Sequence, residues 1–467
     1  MKFNKTLFVF LSLHFILWSV LPILFRANLP MDSAEALIWG FIGEWGTNKH
    51  PPLSGWLADV IYQITKTPYA LYVLSQLFIV GAFLYIYKLA KLFLAQEKAL
   101  IAALVMEGVA YYNFTSTEYN VNVISMMLWP AATYYFYRGI KGNKCYDWLM
   151  FGIFAGLNIL NKYVSGILFV GLGAYLLFTG EGRTALKSWK LYGAAIVALA
   201  VVAPHIWWLY QRDWFVIDYF LSRSGGKALS YGLGHIVYPL KFLCAQILAA
   251  ALALIILSVA RIKSPEQVQK QDKAFVFYAG ILPVLLMTAL SAVAGIKLKS
   301  MWGTPTLYML GIAFLIWFPV NVKQCQKQMI TACYGALIVF VLAFVGQNLG
   351  TTSAKFKLNA TDFVKAVDVE NFDYVGGSVW LASTAGVYSL NHPQVLYLMN
   401  ETQNPWIDME DVRKKGILVV EEELSSYRLY QQQFKNLSEP KIYDLIVTTP
   451  FGKQKHYSLY YGTIAGE

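Results

Sequence analysis

Residues 7–35 read LFVFLSLHFILWSVLPILFRANLPMDSAE, and residues 46–53 read GTNKHPPL. Leu7–Phe25 is an unbroken apolar run. It matches the roughly 20 residues a helix needs to cross the hydrocarbon core of a bilayer. Directly after it come Asp32 and Glu35, then a Lys49-His50-Pro51-Pro52 turn. The run is longer than the apolar part of a secretory signal, and no small-x-small cleavage pattern follows it. It is read as a retained first span, with Lys2 and Lys5 ahead of it.

The pattern repeats outward from there. Apolar runs recur at about 71–87, 99–113, 122–138, 148–161, 163–179, 191–209, 236–259, 274–294, 301–319 and 329–348. The chain is 57% hydrophobic and only 14% charged, with mean hydropathy +0.47. Soluble domains carry nearly twice that share of charge. Backbone groups in lipid must pair within the segment or in a closed barrel, and these runs are too long for barrel strands. The expected fold is a polytopic α-helical membrane protein of about eleven transmembrane helices.

Net charge is +11, but most Lys and Arg sit in short loops between apolar runs. That is membrane topology rather than nucleic-acid binding. Lys88/Lys91/Lys98, Arg138/Lys141/Lys144, Arg183/Lys187/Lys190, Arg261/Lys263/Lys270/Lys273 and Lys323/Lys327 fall on one side with Lys2 and Lys5. The positive-inside rule makes that side, and the N-terminus, cytoplasmic. The loop 26–70, the loop 114–121, Lys162, the loop 210–235, Lys297/Lys299 and everything after about 350 then lie outside.

After Thr351 the composition changes. Short β-like runs appear at Val375–Ala382, Val395–Met399, Ile417–Glu421, Tyr443–Thr448 and His456–Ile464, with a polar helical stretch over 422–436. This predicts two parts: a membrane part over 1–350, and a small extracytoplasmic (periplasmic) α/β domain over 351–467. Within the first outer loop, the spacing of Ala36, Leu37, Trp39, Gly40, Ile42 and Gly43 reads as a short helix at headgroup depth and 52–65 as a second amphipathic piece, with Trp39, Trp45 and Trp56 as interfacial aromatics. The cysteines Cys145, Cys244, Cys325 and Cys333 show neither metal-ligand spacing nor a disulfide framework.

The outer loops hold the residues able to do chemistry. Asp32 and Glu35 can serve as a general base toward a hydroxyl, or begin a helix as a cap and first-turn acid. Two prolines stiffen the Lys49-His50 turn and aim a cation and an imidazole, a pairing suited to phosphate. It also reads as a plain loop breaker. Glu118 and Asn120 sit in an outer connection and fit either a cavity or a helix cap. Lys162 lies at the edge of apolar sequence, where a cation is costly and a functional candidate by default; snorkelling is the alternative. His205, Arg223, Lys299 and Trp302 add polar and basic groups on other outer loops. Together the basic residues can converge on a phosphate. No Gly-rich phosphate loop, Ser-His-Asp pattern or zinc signature stands out.

Asp32-Ser33-Ala34-Glu35-Ala36-Leu37-Ile38-Trp39, Lys49-His50-Pro51-Pro52-Leu53 with Trp56, Asn161-Lys162-Tyr163, Pro204-His205-Ile206-Trp207-Trp208, Asp218-Tyr219 with Arg223, and Met301-Trp302-Gly303-Thr304-Pro305 resemble the GT-C membrane glycosyltransferases. The resemblance is to the protein-O-mannosyltransferase and aminoarabinose-transferase type (family 39-like). The resemblance covers the chain to about residue 320. It implies transfer of a sugar from a polyprenyl-phosphate carrier to lipid A, lipopolysaccharide, another envelope glycan or a protein. The site would be the outer face of the inner membrane. It makes Asp32 the first candidate for the catalytic acid and Glu35 the second. Many relatives have adjacent Asp-Glu where this chain has Ala34-Glu35, so the assignment stays open between the two. Lys49, His50 and Lys162 match residues near the carrier phosphate. No cofactor is called for, and a divalent metal is left open.

The main rival is a transporter or flippase for a lipid-linked sugar. It calls for mid-membrane charges and broken helices in related halves. Mid-span charges are few, no internal repeat is evident, and Pro204 and Pro283 are isolated.

Overall fold

The computed structural model describes residues 4–217, 232–259, 269–318 and 320–467. Arg223, a candidate phosphate ligand, lies outside the described residues, as does Asp218.

Helix α1 (Lys5–Phe25) starts where the Asn4 side chain accepts from Leu7 N at 3.2 Å, meeting one of the orphan donors of a helix start. It packs against α4 (Ala70–Ala90) and the long helix Val322–Gly350. Between α1 and α4 run two short helices, α2 (Met31–Ile42) and α3 (Leu53–Thr65). Gly43 ends α2 in a left-handed conformation, φ 71°, and Pro51-Pro52 precedes α3. After α4 come α5 (Gln96–Leu104), α6 (Val121–Gly142) and α7 (Cys145–Asn161).

Among the described residues five helices are long and apolar enough to cross a bilayer: α1, α4, Trp189–Gln211, Lys270–Ala294 and Val322–Gly350. Gly234–Ala249 and Ala251–Ser258, bent by 55°, would make a sixth. The eleven apolar runs are therefore not eleven long apolar helices. The run at 99–113 leaves α-helix after Leu104 for tight turns. The run at 301–319 begins as tight turns over Ser300–Met309, with Pro305 inside. Tyr163–Phe178 is short. Helix α6 is 22 residues long but diluted by Asn122, Arg138 and Lys141. The chain is a multi-pass membrane protein.

Residues 374–465 carry a five-stranded mixed sheet. Its strands are β1 (Tyr374–Gly377), β2 (Gln394–Tyr397), β3 (Gly416–Glu421), β4 (Lys441–Thr448) and β5 (Gln454–Ala465), in the order β2-β1-β3-β5-β4. β1 is parallel to both β2 and β3, and β5 is antiparallel to β3 and β4. β3 is buried along its whole length, as expected of a parallel strand covered on both faces. The strand expected over 375–382 stops early, because Val379–Tyr388 is helix. Gly377 has φ 108°, and a Cβ there would meet Val420 O at 2.2 Å. The chain turns out of the sheet at this glycine, and Ser378 N donates to Val420 O at 2.9 Å.

The helix Val379–Tyr388 packs on α2. One apolar core runs from Leu37 and Ile38 of α2 into Ala382, Ala385 and Val395. Asn28 Nδ2 donates to Thr384 Oγ1 at 3.1 Å, and Leu29 N to the Tyr388 hydroxyl at 3.2 Å. The sheet region is thus seated directly on α2 and the segment before it.

Candidate active site

A cavity of about 1010 Å³ lies between the helix-joining segments and the sheet region. It is walled by α2, the 48–50 turn, the start of α6, the end of α7, residues 296–302, and the carboxyl ends of β1 and β2. Asp32, Glu35, Lys49, His50, Asn120, Lys162, Lys299 and Trp302, from distant parts of the sequence, all line it. Glu118 and His205 stand behind the wall. Apolar side chains such as Ile167, Leu209, Ile217, Met287 and Leu290 make up the rest of the hollow.

Pro30 starts α2 and places Asp32 in its first turn, where the helix dipole favours a carboxylate. Ser33 Oγ donates to Tyr119 O at 3.1 Å, and Asp32 N donates to Glu118 Oε1 at 3.4 Å. Glu118 therefore caps α2 from another segment. Burial, and then the neighbouring Asp32 carboxylate, raise the Glu118 carboxyl to about 7. Glu35 is 1% exposed and ion-paired with Lys49 Nζ. A buried carboxylate needs such a partner, since lone burial of a charge is very costly.

The Lys49-His50 turn is fixed by Thr47. Its hydroxyl accepts from Lys49 N (3.1 Å) and His50 N (2.9 Å), and Thr47 N donates to His50 O at 3.0 Å. This small hydroxyl turn, ahead of two prolines, is what aims Lys49 at Glu35. The His50 ring stands edge-on to Trp39 at 5.8 Å. Lys49 is thus engaged by an acid rather than held out for phosphate alone.

Lys162 follows α7, where the backbone turns extended (φ −160°). Asn161 Nδ2 donates to Val121 O (2.8 Å) and Ser125 Oγ (2.9 Å), and Asn158 Nδ2 to Leu128 O (2.9 Å). These amides lock the end of α7 to α6. Asn120 caps α6, accepting from Asn122 N at 2.9 Å. Lys162 Nζ donates to Asn122 Oδ1. Burial lowers the Lys162 ammonium to about 7, opposed by the Asp32 charge.

His205 is buried and does not line the cavity. Its Nδ1 bonds to Trp45 O at 2.6 Å and must be the protonated nitrogen, so Nε2 accepts from the Tyr163 hydroxyl at 2.8 Å. It positions Tyr163, which does line the cavity. Glu44 completes the tie. It accepts from Trp208 Nε1 at 2.6 Å and pairs with Arg212 at 3.1 Å. Gly46 lies so close that a Cβ would sit 2.4 Å from the Trp208 ring.

The sheet region adds four lining residues that carry no sequence signal: Val379, Tyr397, Leu398 and Gln403. Asn404 clasps their loop, accepting from Tyr397 N (3.2 Å) and donating to Tyr397 O (3.0 Å) and Asn400 O (2.7 Å). Leu398 and Met399 both have positive φ, 57° and 52°, a conformation disfavoured for such side chains. The one available signal was topological. β2 and β3 flank β1, and open α/β sheets bind ligands beyond the carboxyl ends of strands at such a switch point. Among the described residues no group of three His, Cys, Asp or Glu side chains is arranged to hold a metal ion.

Against known structures, the chain aligns over 98% of its length, and 98% of the other's, with ArnT from Cupriavidus metallidurans bound to undecaprenyl phosphate. The TM-score is 0.65 at 12% identity. The apo form of the same protein gives 0.54 at 13% identity. The sequence profile of the dolichyl-phosphate-mannose-protein mannosyltransferase family matches residues 49–208. The chain shares the fold of these two structures. Two curated relatives of the chain are the lipopolysaccharide core galacturonosyltransferases RgtB and RgtA of Rhizobium johnstonii. They are 25% identical over 331 and 332 residues, or 66% and 67% of this chain. The matched region spans 64% of the length of each of those relatives.

Proposed function

We propose that this GT-C-type protein transfers a sugar from a polyprenyl-phosphate carrier to a cell-envelope glycan or glycolipid, at the outer face of the inner membrane. The observation that carries the proposal is the cavity. Asp32, Glu35, Lys49, Lys162 and Lys299, scattered through the sequence, line one hollow whose remaining wall is largely apolar. A prenyl chain suits the apolar wall, and cations at its mouth suit the phosphate.

In the proposed reaction the acceptor hydroxyl attacks the anomeric carbon. The bond from that carbon to the carrier phosphate oxygen breaks, and the phosphate leaves with the electron pair. The acceptor proton passes to Asp32, the general base. Lys162 and Lys299, with His50, stabilise the charge growing on the leaving phosphate. The Glu35–Lys49 pair holds the turn and shapes the field around Asp32. A single displacement inverts the anomeric centre. The names of the two curated relatives make a uronic-acid sugar and a lipopolysaccharide core acceptor the first substrates to try. Mass spectrometry of lipopolysaccharide and other envelope glycans, with and without the gene, tests the proposal. A sugar missing from one glycan is expected, and identical glycan profiles overturn it.

A further inference from the structure

The β4–β5 hairpin is longer than the sheet that carries it. β5 pairs with β3 only from Tyr460 to Ala465, with Glu421 opposite Tyr460. Gln454–Leu459 continue past the carboxyl end of β3, paired only with β4. At about 3.3 Å per residue that arm is roughly 20 Å long. Its direction is fixed by the cavity. Val379 and Leu398, just past the carboxyl ends of β1 and β2, line the hollow between the helix-joining segments and the sheet region. The carboxyl edge of the sheet therefore faces the membrane part, and the arm projects that way.

A second contact agrees. The Tyr457 hydroxyl donates to Thr352 O at 2.9 Å, two residues after the long apolar helix Val322–Gly350 ends. One face of the arm is packed, with Val447 and Thr449 buried. The other is exposed, with Ile442 and Ile446 set among polar residues such as Asp444 and His456. Ile446 is 57% and Phe451 76% exposed. Phe451 tops a tight turn closed by Gly452 N donating to Thr449 O (3.0 Å) and Thr449 N to Lys453 O (2.9 Å). Lys453, Lys455 and His456 follow, all exposed, and no acidic residue occurs between Asp444 and Glu467. An apolar tip flanked by Lys, aimed at a membrane, is the composition of an interfacial anchor.

We propose that this hairpin docks on the outer leaflet, with Phe451 among the headgroups and Lys453 and Lys455 on anionic phospholipid. It would brace the loop carrying Tyr397–Gln403 against the membrane part. The inference does not depend on which sugar is transferred, or on whether one is.

The test uses the full chain in vesicles of phosphatidylethanolamine and phosphatidylglycerol, with the exposed Cys145 and Cys244 changed to Ser. An environment-sensitive dye is placed at Phe451→Cys or, at the opposite edge of the sheet, at Lys414→Cys. A spin-labelled lipid serves as quencher. Quenching at 451 is expected to exceed that at 414 by about twofold or more, and to fall by about half in a Lys453→Glu/Lys455→Glu background. Equal quenching at the two positions overturns the proposal, as does quenching unchanged by the charge reversal. A blue-shifted dye at 451 that lipid does not quench would mean a protein occupant, such as a second copy, and also overturns it.

Discussion

Two of the acid–base pairs among the described residues set a buried acid against a base in different places. Glu35 and Lys49 meet at the wall of the cavity. His14 and Glu107 meet at 2.8 Å inside the membrane part, both fully buried. Their surroundings differ more than their chemistry. His14 faces Phe83 at 5.5 Å and Trp18 at 6.5 Å. Glu107 is on α5's continuation toward Asn113, whose side-chain amide donates to Glu107 O at 2.6 Å. Neither His14 nor Glu107 lines the cavity. The inner pair tethers α1 to the 105–113 turns; the outer one holds a loop beside a place where a ligand fits. A buried ion pair is thus weak evidence of function until its access to a cavity is known.

The largest effect expected from this contrast is at Asp32. Asp32→Asn should lower transfer by about 10²- to 10⁴-fold, the range for loss of a general base, with the melting temperature in detergent unchanged. Unchanged transfer in both Asp32→Asn and Glu35→Gln would remove the mechanism. Next is the inner pair. Glu107→Ala leaves His14 buried without its hydrogen-bond partner and should cost about 1–3 kcal/mol of stability. Turnover per folded molecule should hold, as measured by melting and active-site-normalised rates. A Glu107→Ala protein that melts normally but does not turn over would reverse the roles of the two pairs.

Lys162→Ala should raise the donor KM by about 10- to 100-fold, from the roughly 1.5–3 kcal/mol of a charged hydrogen bond. The acceptor KM should move little, and equal shifts in both would count against a phosphate role. The same lysine sets a pH dependence. Its ammonium is lowered to about 7 by burial, so the free enzyme loses that charge as pH rises through about 7. Donor kcat/KM should fall on the alkaline side, and the fall should be absent in Lys162→Ala. The smallest effect is at Gln403, on the wall supplied by the sheet region. Gln403→Ala should change acceptor use only a few-fold, as expected for one neutral hydrogen bond. A larger effect on donor use would place the carrier against that wall.

Much of this architecture was legible before any coordinates. Apolar run lengths identified a multi-pass helical protein, and the Pro51-Pro52 turn marked the start of the piece over 52–65. Run length did not reveal where helices break. The turns after Leu104 and those around Pro305 are set by packing, which hydropathy does not encode. In the site, residues with strong chemical character were visible one by one, yet their grouping was not. The contact of Lys49 with Glu35 depends on how Thr47 folds a turn, and Glu118 caps a helix 86 positions away. Glu107 was overlooked because a lone acid in an apolar stretch does not announce its partner in another helix. Tyr397 and Gln403 carry no motif. They reach the cavity only because β1 lies between β2 and β3, which is a fact of topology.

The most direct test is to photocrosslink a polyprenyl phosphate, reactive at the isoprene nearest its phosphate, to the protein in membranes, and then to map the modified peptides. Adducts are expected in the segments holding Lys49-His50, Lys162–Val164 and Lys299–Trp302, and excess unmodified carrier should compete them away. Adducts confined to segments outside the cavity, or labelling that the carrier does not compete, would contradict a common hollow that grips the carrier beside Asp32.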